Sequence, residues 1–72
     1  GATFMRDGVN FSIFSKNASA VELLLFETAD DAAPKRVIQL DPKKNKTFYY
    51  WHVFVPGLEE GQIYGYRVYG RF

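Results

Sequence analysis

The final third of the chain constrains its fold most strongly, because two aromatic-rich runs flank a turn signal there. The runs cover residues 51–55 and 64–69, with a Pro-Gly pair at 56–57 and an acidic stretch at 59–61 between them. Trp, Tyr, Phe and Val favour extended strands, whereas Pro and Gly tend to end them. This pattern predicts two antiparallel β-strands joined by a loop.

Similar short segments recur through the rest of the chain. Residues 9–13 alternate between apolar and polar, which is the period of a strand that buries one face; Phe14 breaks the alternation and is expected to lie beneath a neighbouring loop. Strands are predicted at 9–14, 21–26, 36–40, 48–55 and 62–69, with a short leading strand that includes Thr3 and Phe4. Short strands separated by turn signals at roughly 8–12-residue spacing predict an all-β, antiparallel β-sandwich.

The small size of the chain limits how it can be stabilised. A domain of 72 residues buries only about 60% of the surface of its extended chain. It contains no cysteine, so no disulfide contributes, and an aromatic fraction of 18% supplies the apolar area. We predict one domain over residues 1–72. Because the chain does not begin with Met, we expect it to be a piece of a longer protein.

The charge balance argues against two classes of partner. Nine Lys and Arg side chains oppose eight Asp and Glu side chains, which gives a net charge of +1. Nucleic acids and anionic membranes attract strongly basic surfaces, so we expect neither as a partner. The longest apolar run, residues 23–26, is far too short to cross a bilayer.

The last two predicted strands contain a candidate core residue, a candidate hydrogen-bonding tyrosine and a glycine that interrupts the strand pattern. Trp51 shares a strand face with Val53 and Val55, and these apolar neighbours predict a core position. Tyr64 follows the turn into the last strand, where a buried Tyr hydroxyl is expected to hydrogen-bond to backbone. Gly65 is expected to mark a bulge or the close approach of another backbone.

Apolar side chains also point away from the predicted core. Phe48, Tyr50 and Phe54 lie opposite Trp51 in their strand, and Leu24 and Phe26 make the second face of strand 21–26 apolar. Exposed apolar patches on small domains usually mark contact sites. One alternative is docking onto a neighbouring domain through Phe48, Phe54, Leu24 and Phe26. The other is an aromatic platform for a sugar.

The sequence offers no catalytic apparatus. Adjacent acids occur at 30–31 and 59–60, but neighbouring carboxylates point apart, and neither pair lies in an apolar setting that would raise a pKa. His52 is the only histidine, and no Cys or second His stands near it to complete a metal site. We therefore predict no catalytic residue, no metal and no cofactor for this chain.

Five segments, taken in order, form a specific pattern. They are Gly8-Val9-Asn10-Phe11-Ser12-Ile13-Phe14-Ser15, Asn17-Ala18-Ser19-Ala20-Val21-Glu22-Leu23, Leu40-Asp41-Pro42 with Asn45-Lys46-Thr47, Trp51-His52-Val53-Phe54-Val55-Pro56-Gly57, and Tyr64-Gly65-Tyr66-Arg67-Val68-Tyr69-Gly70. In this order and spacing they resemble the N-terminal module of isoamylase-type glycogen and starch debranching enzymes, which is classed among the glycogen-binding modules. The match covers nearly the whole chain.

The resemblance implies an immunoglobulin-like β-sandwich that precedes a (β/α)₈ barrel in the parent protein. The barrel of that family carries the catalytic carboxylates and hydrolyses α-1,6-glucosidic bonds, so no catalytic residue transfers to this chain. The module is expected to pack on the barrel; alternatively, it binds α-glucan by aromatic stacking through Phe72, Tyr50 and Phe48. Phe72 falls near the place where relatives that bind glycogen have a stacking Trp. The resemblance also implies a cytoplasmic location, or a plastid in a plant.

A third alternative is an unrelated sandwich of the adhesion type. Such domains are secreted and often contain a disulfide, and the absence of cysteine weighs against this class.

Overall fold

The computed structural model describes residues 1–70, which form two antiparallel β-sheets packed face to face. The strands are β1 (Ala2–Met5), β2 (Gly8–Phe14), β3 (Ala18–Phe26), β4 (Arg36–Gln39), β5 (Lys46–Thr47), β6 (Tyr50–Pro56) and β7 (Ile63–Gly70). Sheet A has the order β1-β2-β6-β5, and sheet B has the order β4-β3-β7. The prediction of an all-β, immunoglobulin-like antiparallel sandwich is confirmed.

The core lies between the two sheets and follows the alternation of the sequence. From sheet B, β3 contributes Val21, Leu23 and Leu25, and the largest side chain facing them from sheet A is Trp51. Trp51 is 1% exposed, so its predicted core position is confirmed. The ammonium group of Lys46 lies 5.1 Å from the centre of the Trp51 ring, which adds a cation–π contact at the edge of the core.

The strand predicted over 48–55 corresponds to β6 (Tyr50–Pro56), but its first two residues form the turn of a hairpin instead. The chain turns at Phe48 and Tyr49, and Thr47 pairs with Tyr50 across that turn. No Gly, Pro or Asn marks the turn, and aromatic residues favour strands, so sequence patterns missed both it and strand β5. The alternation beyond the turn was predicted correctly, because Trp51 and Val55 are buried on the inner face.

Two expectations for β7 are wrong in detail. The hydroxyl that donates to backbone across the sandwich belongs to Tyr66, which reaches the carbonyl oxygen of Ser12 at 3.3 Å, and not to Tyr64. Gly65 pairs regularly with Leu24, and the register shift in this pair of strands lies between Ala18 and Ala20 instead. The alternation of apolar and polar residues describes one strand at a time. It could not locate a bulge, because a bulge depends on the register between two paired strands.

A close backbone approach does occur at Gly8, at the start of β2. A Cβ atom at this position would lie 2.3 Å from the carbonyl oxygen of Val55 on β6. Only a residue without a side chain allows these two strands to pair at this point. Among residues 1–70 there is no helix that could span a membrane.

Candidate functional site

One carboxylate of the acidic pair at 30–31 serves its own loop. Asp31 accepts hydrogen bonds from the backbone N–H and the hydroxyl of Thr28, at 2.9 and 3.0 Å, and these bonds lower the pKa of its carboxyl group. A general acid needs the opposite shift. No cluster of three or more His, Cys, Asp or Glu side chains that could hold a metal ion occurs in the described part of the chain.

The outer faces of the two sheets are the surfaces available for binding. The four predicted docking residues do not all lie on the same face. Leu24 and Phe26 lie on the outer face of sheet B, whereas Phe54 lies on the outer face of sheet A. Phe48 stands in the β5–β6 turn at one end of sheet A. These side chains therefore cannot form one continuous surface, and two separate surfaces must be considered.

The outer face of sheet B carries an apolar patch that crosses all three strands. Leu24 pairs with Val37 on one side and Gly65 on the other, and Phe26 pairs with Ile63. We call these five residues the sheet B patch. Val37 and Ile63 are 46% and 38% exposed, whereas Leu24 is buried among its neighbours. Leu24 and Phe26 were identified from the sequence, but Val37 and Ile63 join them only through strand pairing.

A polar network borders the sheet B patch along the same face. The carboxylate of Glu22 accepts hydrogen bonds from Arg67 and from the Tyr69 hydroxyl, both at 3.0 Å. The contacts with Tyr69 and then Glu22 raise the pKa of the Arg67 guanidinium, which stays charged. An apolar centre with a satisfied polar border is the usual anatomy of a protein–protein interface.

At the other end of the sheet B patch lies a polar depression of about 330 Å³. Phe26 and Ile63 contribute to its wall, and the remaining lining comes from the β6–β7 loop together with Glu27 and Lys35. Glu27 and Lys35 form an exposed ion pair at 3.5 Å. The depression therefore lies at the edge of the sheet B patch, where it offers space for a side chain of a partner protein.

The outer face of sheet A carries a second surface, at the end where β5 turns into β6. The rings of Phe14 and Tyr50 lie edge to face at 5.2 Å between centres, and those of Phe14 and Tyr49 at 6.0 Å. Together with Phe48 in the same turn, we call these four residues the hairpin aromatics. Phe14 is 56% exposed, so the expectation that it lies beneath a loop is wrong.

Phe48 is unusual in both exposure and backbone conformation. Its side chain is 87% exposed, and its φ angle of 55° lies in the left-handed region. It is the first of the two central residues of the turn, a position where tight hairpins favour Gly or Asn. Tyr50 and Phe48, the candidate sugar-binding residues of the sequence analysis, are therefore neighbours at this turn, and Phe72 lies outside the described residues.

Phe54 belongs to neither surface. It lies near the opposite end of sheet A from the turn, opposite Asn10 in the strand pairing, and its ring covers the backbone at Gly8. Phe54 remains 43% exposed, and its predicted part in docking stays a prediction.

A family model and several related proteins, compared with this chain, all indicate the same family. The model of the family described as carbohydrate-binding module 48 (isoamylase N-terminal domain) matches residues 1–72. The chain is 45% identical over 75 residues to isoamylase SU1, chloroplastic, of Zea mays, and 42% identical over 74 residues to isoamylase 1, chloroplastic, of Arabidopsis thaliana. It is 40% identical over 72 residues to a glycogen debranching enzyme of Serratia proteamaculans (strain 568). Each alignment covers 100% of the chain but only 10% of the relative, so the chain spans about a tenth of the length of these proteins.

Proposed function

The chain belongs to the carbohydrate-binding module 48 family, and from this membership we propose that it is the N-terminal accessory module of a debranching glycoside hydrolase. The reaction of the parent protein is hydrolysis of α-1,6-glucosidic bonds in glycogen or starch. The names of the relatives, isoamylase and glycogen debranching enzyme, support this assignment. In this proposal the catalytic groups belong to the parent protein outside the module, and the Asp and Glu side chains of residues 1–70 lie in loops and on a sheet surface.

The role proposed for the module is to pack on the catalytic (β/α)₈ barrel of the same parent chain. The observation that carries this proposal is the sheet B patch, where Val37 and Ile63 leave apolar surface exposed on a domain with a complete core of its own. A polar border and an adjacent depression give the patch the shape and chemistry of an interface. Docking would remove this apolar area from water, which favours association.

The parent activity is tested by expressing the complete gene product that contains these residues. We expect it to release linear chains from glycogen or amylopectin, seen as new reducing ends and as a shift in iodine staining. A product that leaves α-1,6 branch points intact contradicts the proposal. Its location is part of the same proposal: the cytoplasm, or a plastid if the source is a plant, in line with the chloroplastic relatives.

A second candidate function is autonomous α-glucan binding by aromatic stacking. The hairpin aromatics favour it, because Phe48 and Tyr50 expose their rings to solvent without any partner domain. The discriminating measurement is a titration of the 72-residue chain with maltoheptaose, followed by amide NMR shifts. Binding at millimolar sugar supports this candidate, and an unchanged spectrum leaves docking as the single role.

A further inference from the structure

Strand β7 (Ile63–Gly70) is a long edge strand with one unpaired side. Within residues 1–70 it pairs only with β3, and the other edge strands, β1, β4 and β5, have four, four and two residues. Natural sheets usually protect an edge by keeping it short or by placing Lys or Pro in it. β7 has eight residues and contains neither, and its single charge, on Arg67, is paired with Glu22 at 3.0 Å. This edge is therefore open to pairing with a further strand.

The hydrogen bonds of β3 show which backbone groups of β7 are free. The carbonyl oxygens of Val21 and Leu25 accept hydrogen bonds from the segment that carries β4, both at 2.9 Å. Because carbonyl directions alternate along a strand, Glu22 and Leu24 bond to β7 instead. The residues of β7 that lie between the bonded positions are Tyr64, Tyr66 and Val68. Their N–H and C=O groups point away from β3 and have no backbone partner within residues 1–70.

The inner face of β1 lies open beside this edge. Phe4 pairs with Val9 and so points to the inner face of sheet A, yet Phe4 is 49% exposed and Val9 only 1%. β7 packs on β2, where the ring of Tyr64 lies 4.9 Å from that of Phe11. β1 is the next strand beyond β2, and within residues 1–70 sheet B has no strand opposite it. The sandwich therefore has an opening one strand wide, with the free edge of β7 at its side and the Phe4 ring as its floor.

We propose that an extended segment of the parent protein, from outside residues 1–72, enters this opening and adds a strand to sheet B beside β7. The source of the segment rests on the proposed function, whereas the opening does not. Backbone hydrogen bonds to β7 hold the segment, in the way that sheet edges capture extended peptides. Because Phe4 and Tyr64 face inward here, the segment carries apolar side chains at alternate positions, which cover both rings.

The length of the parent and the shape of the opening favour this occupant. The chain covers only 10% of the relatives, so proteins of this kind have ample sequence outside the module. A segment joined to the module by a covalent chain is present at a high effective concentration, which a free peptide does not match. A second copy of the module fits poorly, because pairing through the same edge would bring its sheet A against β1, which projects beyond β7.

Hydrogen exchange in the complete gene product tests the added strand, with deuterium read at single amides by mass spectrometry. We expect the amides of Tyr64, Tyr66 and Val68 to exchange at least about a hundredfold more slowly than in an unstructured peptide of the same sequence. The amide of Arg67, which is bonded to β3, is the internal control for a folded module.

Two substitutions on opposite faces of β1 separate the added strand from general effects. Phe4→Lys places a charge on the floor of the opening, whereas Met5→Lys places the same charge on the outer face of the same strand. In the complete gene product, Phe4→Lys should speed exchange at Tyr64 and Tyr66 at least about tenfold, because a charge beneath the added strand weakens its packing. Met5→Lys should leave both rates unchanged.

The outcomes distinguish the added strand from the proposed function. Fast exchange at the three amides, with Arg67 protected, overturns the added strand even when the complete product hydrolyses α-1,6-glucosidic bonds. A product without that activity contradicts the proposed function, and exchange at β7 then decides separately whether a strand is added. Slow exchange that Phe4→Lys leaves unchanged contradicts a strand that lies over Phe4.

Discussion

Single aromatic residues span the sandwich and join its sheets. Tyr66 points inward from sheet B, and its hydroxyl donates to the backbone of Ser12 on sheet A. Its ring meets Tyr64 edge to face at 5.8 Å, and Tyr64 in turn meets Phe11 at 4.9 Å. Burial, followed by the neighbouring Tyr64, raises the pKa of Tyr66 to about 12. This residue therefore makes stability depend on pH in the alkaline range.

Tyr66→Phe tests that dependence. The folded chain keeps the Tyr66 proton up to pH of about 12, whereas the unfolded chain loses it near 10.0, the ordinary pKa of a tyrosine. Unfolding therefore releases a proton between these values, so stability falls as pH rises through this window and does not vary with Tyr66 below it. Urea unfolding should show that the stability difference between the two proteins shrinks from pH 9 towards pH 12. A difference independent of pH contradicts this prediction.

Burial of Trp51 is expected to contribute much of the stability of this small core. Trp51 is the largest fully buried side chain, and within the described part of the chain its indole N–H has no hydrogen-bond acceptor. Trp51→Ala should destabilise the domain by about 3–5 kcal/mol, which approaches the whole stability of a chain this small. Trp51→Phe should cost clearly less, since it keeps most of the apolar volume and removes an unpaired buried donor. Chemical unfolding followed by circular dichroism measures both, and equal costs contradict the argument.

Two glycines lie within strands, and they differ in whether the neighbouring strand leaves room for a side chain. Gly8 allows β2 and β6 to pair closely, whereas a Cβ atom at Gly65 would meet only the Phe26 ring, at an ordinary 3.8 Å. The sequence marked Gly65 as the special position, but the close approach is at Gly8. The difference arises because close approach is a property of the pair of strands, and a single strand does not display its partner.

Gly65→Ala should raise the stability of the 72-residue chain by about 0.5–1 kcal/mol, because Gly weakens a strand through its conformational freedom. Gly8→Ala is the matched control, and it should destabilise by about 1–3 kcal/mol because the new Cβ atom collides with the carbonyl of Val55. Thermal unfolding by circular dichroism measures both changes. Loss of stability in Gly65→Ala would show that this position is constrained by something other than Phe26.

At the scale of the whole molecule, the sandwich separates two surfaces with different chemistry. The sheet B patch is aliphatic at its centre, with a charged border, whereas the hairpin aromatics are four rings, two of which have hydroxyl groups. The first composition suits a dry contact with protein, and the second suits a wet contact with sugar. This separation is why the two proposals can be tested independently.

Val37→Lys tests docking. In the 72-residue chain the change should alter stability by no more than about 0.5 kcal/mol, because Val37 is an exposed residue on edge strand β4. In the complete gene product it should lower the unfolding temperature or separate the unfolding of the module from that of the barrel, since a charge would be buried against the partner. Met5→Lys, on edge strand β1 of sheet A, is the matched control and should have neither effect. Equal behaviour of the two variants in the complete protein contradicts docking through the sheet B patch.

The sequence by itself determined the fold class, most of the strands and the core position of Trp51. These features depend on local alternation and β-propensity, which each segment carries within itself. The tertiary structure alone decided that Leu24 and Phe26 lie on a different sheet from Phe48, and that Phe14 meets Tyr50. Alternation tells which side chains share a face of one strand, but not which strands lie side by side. Both surfaces are assembled from residues far apart in the sequence, so strand pairing had to be known before either could be recognised.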